Sequence, residues 1–121
     1  MTVYRGQCHC GSVQFEFDLA RGLPQAQRCT CSFCCRRAAP NISVPLTALR
    51  ITKGADTLAL YTWNTGTAKH YFCKKCGIYT HHQRRADPNE YGVNLGCIEG
   101  QNPADYEPIP WTDGVNHPSD I

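Results

Sequence analysis

No apolar run in this chain approaches the ~20 residues that a helix needs to cross a bilayer, so a membrane protein is not expected. Charge of one sign is missing too. A formal net charge of +2, with Lys and Arg dispersed and no basic arm, argues against a nucleic-acid binder. The opening residues, Met1-Thr2-Val3-Tyr4-Arg5-Gly6-Gln7-Cys8, lack the apolar h-region of a secretory signal, and the expected setting is the cytoplasm. No internal repeat, low-complexity block or second core interrupts the 121 residues, a length that fits one domain, 1–121.

Cysteine is what the chain has in excess. Nine in so short a sequence leave two readings, a disulfide framework or metal binding. The count is odd, nothing in the opening residues looks like a secretory signal, and the cysteines fall as close groups: Cys8/Cys10, Cys29/Cys31/Cys34 and Cys73/Cys76. Neighbours so spaced converge on one ion, and the metal reading is preferred.

The rest of the pattern is mainly β. Ser12-Val13-Gln14-Phe15-Glu16-Phe17-Asp18 alternates with period two and predicts a half-buried strand with Val13, Phe15 and Phe17 inward. Gln27-Arg28-Cys29 reads as a short strand, and Ser32 is placed to cap a brief helical turn through Arg37. Further strands are expected at 41–45 and 49–52. The run 57–63 is expected to be the longest, forming a hairpin with 69–72 that ends on the knuckle Cys73-Lys74-Lys75-Cys76-Gly77. Strands at 78–82 and 90–98 follow. Residues 101–121 carry four prolines and little periodicity, predicting an extended C-terminal tail over the surface, pinned by Trp111.

Cys8, Cys10, Cys73 and Cys76 make a closed four-thiolate site if their two turns meet, while Cys29, Cys31 and Cys34 supply three ligands and leave a fourth position open. Spacing alone equally allows Cys97 to complete the second group, which would close it; the preferred role for Cys97 is a buried strand residue. His9, between two ligands, is expected to point away as a turn residue. Of the consecutive His81 and His82, only one can approach a site, because adjacent strand residues face opposite sides. Cys35 reads as a bystander thiol, and Tyr61 and Trp63 as core.

Taken together, Gly6-Gln7-Cys8-His9-Cys10-Gly11-Ser12-Val13, then Cys29-Thr30-Cys31-Ser32-Phe33-Cys34, then Phe72-Cys73-Lys74-Lys75-Cys76-Gly77 resemble the glutathione-dependent formaldehyde-activating enzyme (GFA) family, whose domain is shared with centromere protein V. The resemblance covers roughly residues 3 to 100. It implies a single β-tent domain of stacked antiparallel sheets stapled by zinc, with two ions per chain. One is structural, at Cys8, Cys10, Cys73 and Cys76; the other is catalytic, at Cys29, Cys31 and Cys34. The implied activity joins formaldehyde to glutathione, a carbon–sulfur lyase reaction run in reverse, and the implied partner is a small-molecule thiol.

The residues themselves are compatible with that chemistry. Three thiolates leave a bound Zn²⁺ with a net charge near −1, a poor activator of water but a soft acceptor for another thiolate. Arg36 and Arg37 stand beside the motif, where they can offset this charge or hold a substrate carboxylate. The competing reading is a non-catalytic module in which both zincs hold a β scaffold that binds a partner protein.

Overall fold

Thr2–Gln7 (β1) and Gln14–Leu19 (β2) pair antiparallel, so that the first cysteine pair sits in the turn between them. The molecule is seen here as a computed structural model that describes residues 1–115, and the part of the expected tail at 116–121 lies outside the described residues. Alternation on β2 does what the pattern predicts: Val13, Phe15 and Phe17 are 0%, 1% and 0% exposed. On the outer edge of this sheet runs Leu49–Lys53 (β5), giving the order β1-β2-β5.

A second, five-stranded antiparallel sheet holds Asn41–Pro45 (β4), Leu58–Tyr61 (β6), Lys69–Cys73 (β7), Tyr79–Gln83 (β8) and Glu90–Asn94 (β9), in the order β4-β9-β8-β7-β6. Phe15 and Phe17 from the first sheet meet Ile42, Val44 and Val93 from the second, and Leu95 just beyond it, in one core. Each fully buried side chain of this kind stabilises by about 1.5–3 kcal/mol. The chain is thus mainly β, with one short helix, Cys34–Arg37 (α1).

Several expectations need correcting. The run 57–63 is not the longest strand: only Leu58–Tyr61 pairs, whereas β1 and β2 have 6 residues each. Because β6 is a sheet edge, its side chains face water on one flank, and Leu60 and Tyr61 are 54% and 45% exposed. Tyr61 is therefore not core. The strand expected over 90–98 stops at Asn94, whose side chain accepts from Gly96 N–H and opens a 3₁₀ turn, Leu95–Cys97; Cys97 is buried, but in that turn. Nor does Ser32 cap α1. The Cys34 N–H donates instead to Cys31 Sγ at 3.2 Å, so a sulfur takes the place of a capping oxygen.

Residues beyond 100 are tied down at several points; Trp111 is one of them, 49% exposed but with the Arg28 guanidinium 5.8 Å from its ring centroid. Ile109 is buried in the core, and the Arg28 guanidinium grips Glu107 through two hydrogen bonds of 3.0 and 3.1 Å. Trp111–Thr112 (β10) then pairs in parallel with Arg28–Cys29 (β3), and Gly114 N–H donates to Thr30 Oγ1 at 3.0 Å. This returns the chain to its central cysteine motif. Among the described residues no helix is long and apolar enough to cross a membrane.

Candidate metal centres

The turn after β1 and the turn after β7 meet in space and bring four thiols together. Cys8 and Cys10 come from the first, Cys73 and Cys76 from the second, and all four sulfurs lie within 4.8 Å of one another. Cys10 Sγ is 3.7 Å from both Cys8 Sγ and Cys73 Sγ. Two sulfurs bound at about 2.3 Å from a tetrahedral zinc stand about 3.8 Å apart, so this quartet has the dimensions of a zinc cage. Backbone N–H groups are already aimed at the sulfurs: Val13 at Cys8 (3.3 Å), and Lys75 and Cys76 at Cys73 (3.3 and 3.5 Å). Gly77, at φ 77°, takes the left-handed conformation that reverses the knuckle. Hydrogen bonding to Ser12 lowers the Cys10 thiol to about 6, which favours the thiolate a metal requires.

The second group is local in sequence. Cys29 ends β3, Cys31 lies in the bend, and Cys34 begins α1, with the three sulfurs again within 4.8 Å of one another. Cys31 N–H donates to Cys29 Sγ at 3.4 Å, repeating the pattern at Cys34 and Cys31. Chiefly through its hydrogen bond with Cys34, Cys29 is lowered to about 5, while Cys34, the partner that keeps the proton, is raised. Among the described residues no fourth Cys, His, Asp or Glu joins this trio. Cys97, which spacing alone left as a possible fourth ligand, lies elsewhere: its Sγ sits 3.4 Å from Tyr79 O, it senses Cys8 and Cys76 rather than the trio, and burial pushes its thiol up to about 12. It is an inert core sulfur.

The trio opens on a cavity of about 310 Å³. Its wall brings Cys29, Cys31 and Cys34 together with Trp63, His70 and His82, and with the cationic side chains of Arg28, Arg84 and Arg85. Gly114 passes directly over the trio, where a Cβ would stand 2.8 Å from Cys31 Cβ and closer still to Cys29 Sγ.

With two cysteine clusters and two antiparallel sheets in view, comparison with known proteins is decisive. The family model described as "Glutathione-dependent formaldehyde-activating enzyme" matches residues 3–112. This chain belongs to that family. The crystal structure of a Rhodobacter sphaeroides protein is similar to it, with 54% identity and a TM-score of 0.86 over 89% of this chain and 99% of the other.

The remaining residues singled out in the sequence sort clearly on this member of the formaldehyde-activating family. Arg36 is exposed, and its guanidinium donates to the Ser32 carbonyl. Arg37 turns inward: its guanidinium lies 3.6 Å from the Tyr79 ring centroid and 4.7 Å from that of Phe33, donates to His70 Nδ1 at 3.2 Å, and reaches Cys34 Sγ at 3.7 Å. It is a cation set behind the trio. His82 faces this side, beside Arg37 (3.5 Å to Nδ1) and Tyr79 Oη (2.5 Å), whereas His81 faces the core against Phe15, Tyr71 and Tyr91. Burial lowers both imidazoles, and Arg37 adds to the effect at His82. His9 and Cys35 are exposed and belong to neither cluster.

Sequence reasoning missed His70, Trp63, Arg84, Arg85 and Gly114. His70 carried one usable signal, its place directly before the aromatic pair Tyr71-Phe72 that leads into a cysteine knuckle; the tail glycine carried none, because nothing local says which distant segment it crosses.

Proposed function

We propose that this protein is a zinc-dependent carbon–sulfur lyase-type enzyme that makes and breaks a thiol–aldehyde adduct, S-hydroxymethylglutathione or a close analogue. Zinc in the quartet Cys8, Cys10, Cys73 and Cys76 is structural, and zinc at Cys29, Cys31 and Cys34 is catalytic. The observation that carries this reading is a three-thiol group, without a fourth donor among the described residues, facing a cavity large enough for a small ligand.

In the synthetic direction the thiol gives up its proton, its sulfur bonds to the carbonyl carbon, and the carbonyl oxygen takes up a proton to become the hydroxyl; cleavage reverses each change. Zinc held by the trio would supply a soft position that accepts a substrate thiolate and lowers its pKa. The chain's own residues do the rest. Arg37, 3.7 Å from Cys34 Sγ, offsets the negative charge of the thiolates. Arg84 and Arg85 give one wall of the cavity a cationic character suited to a thiol that bears carboxylates, as glutathione does, while Arg28 on the same wall is paired with Glu107. Two thiol clusters serve as ligands only where they stay reduced, which favours the cytoplasm as the setting of this activity.

Exchange NMR on a mixture of glutathione, formaldehyde and their adduct tests this directly. Zinc-loaded protein is expected to speed interconversion above the uncatalysed background, and Cys31→Ser to abolish the gain. A rate equal to buffer at every protein concentration would leave the alternative, a non-catalytic zinc-stabilised β module that binds a partner protein.

A further inference from the structure

Trp63 does not behave as a core tryptophan. It follows β6, it lines the cavity beside the thiol trio, and its indole Nε1 is buried with no hydrogen-bond partner among the described residues. Buried tryptophans ordinarily find an acceptor, because a buried N–H left without one is destabilising. Such an orphan on a cavity wall points to an acceptor that arrives with a ligand.

A second donor stands on the same wall. His70 is 4% exposed, packs its ring against Phe33 at 4.4 Å and His82 at 5.2 Å, and lines the cavity. Arg37 Nη1 lies 3.2 Å from its Nδ1. A guanidinium has donors only, so Nδ1 must accept, and the proton of the neutral ring is then on Nε2. Arg37 thereby fixes His70 as an Nε2–H donor.

We propose that the indole N–H of Trp63, with the Nε2–H of His70 as second donor, forms a subsite for oxygen acceptors of the bound thiol, its amide carbonyls or carboxylates. The subsite selects an oxygen-rich peptide thiol over a simple alkyl thiol. The choice of thiol as ligand rests on the function proposed above; the demand for an acceptor rests on the unpartnered indole N–H of Trp63.

The test uses the zinc-loaded full chain and three probes: glutathione, S-methylglutathione, which keeps every oxygen but has no thiol, and ethanethiol, which has the thiol and no oxygen. Trp63→Phe removes the N–H and keeps a ring. It is expected to weaken both glutathione probes about tenfold, the effect of one lost hydrogen bond to a charged or strongly polar acceptor. Ethanethiol binding and the melting temperature of the ligand-free protein should not fall. In wild-type protein, S-methylglutathione should shift the indole ¹H–¹⁵N signal of Trp63 while that of exposed Trp111 stays in place. His70→Gln, which still offers an N–H, should lose less affinity than His70→Leu.

An unmoved Trp63 signal with unchanged affinities in Trp63→Phe overturns the subsite. So does a lowered melting temperature with equal losses for all three probes, the mark of a structural role. If S-methylglutathione engages Trp63 but no formaldehyde exchange is catalysed, the lyase reading falls and the subsite stands. Catalysed exchange with a silent Trp63 overturns the subsite and leaves the lyase reading in place.

Discussion

Arg37→Met is the substitution that most directly tests how the trio is held. The guanidinium lies 3.7 Å from Cys34 Sγ and is sandwiched by Tyr79 and Phe33, so it sits where thiolate charge must be balanced with little help from water. At an effective dielectric of about 20, unit charges at that separation attract by about 4.5 kcal/mol. Charge spread over three sulfurs, and the desolvation already incurred by the cation, reduce the net effect to the range typical of groups that support metal ligands, about 10- to 100-fold in metal affinity. Methionine fills the space between the two rings and keeps the packing. Competition with a graded series of zinc chelators on the two-zinc protein should therefore show the weaker site loosened by that factor and the quartet unchanged, with Arg37→Lys in between. A parallel loosening of both sites would mean that Arg37 acts through the fold. An unchanged weaker site in a folded variant would refute the electrostatic argument.

Cys76→Ser should unfold the domain, because structural zinc is worth ~10–16 kcal/mol in small peptides, as much as the whole stability of a typical domain; Cys31→Ser should keep its circular dichroism spectrum and lose only activity. Equal unfolding by both would remove the distinction between the two centres. Gly114→Ala brings a methyl to within 2.8 Å of Cys31 Cβ, so the tail must shift; zinc at the trio should weaken at least about tenfold in the chelator assay, with the quartet spared. His81, buried against Tyr71 and Tyr91, is held at about 4 against an ordinary 6.5, so the unfolded chain binds a proton first as the pH falls. The stability this gives is complete above 6.5 and is lost on the way down to 4, amounting to about 3 kcal/mol. Denaturant unfolding of His81→Gln should show a flatter acid limb by that amount, and an identical limb would assign the acid loss elsewhere.

What could be read from the residues followed local physics. Alternation placed Val13, Phe15 and Phe17 in the core, and two-residue and three-residue cysteine spacings brought neighbouring thiols together, because a turn or one helical step sets those distances by itself. Where the reading went wrong, a distant neighbour decided. Apolar character in 57–63 could not reveal that β6 has a partner on one side only, so Tyr61 is wet and Trp63 faces a cavity. Arg36 and Arg37 looked equivalent in sequence, and only the placement of Tyr79, some forty residues on, draws Arg37 inward while Arg36 stays out. The crossing of Gly114 over the trio depends on Arg28, Glu107 and Ile109 anchoring a segment some eighty residues away.

Strand β7 carries His70 in the cavity wall and Cys73 in the quartet within five residues. One cluster is thus built on the scaffolding of the other, and an ion at the knuckle would brace the strand that walls the pocket. Whatever loosens the first cluster would then be felt at the second, carried along a single strand.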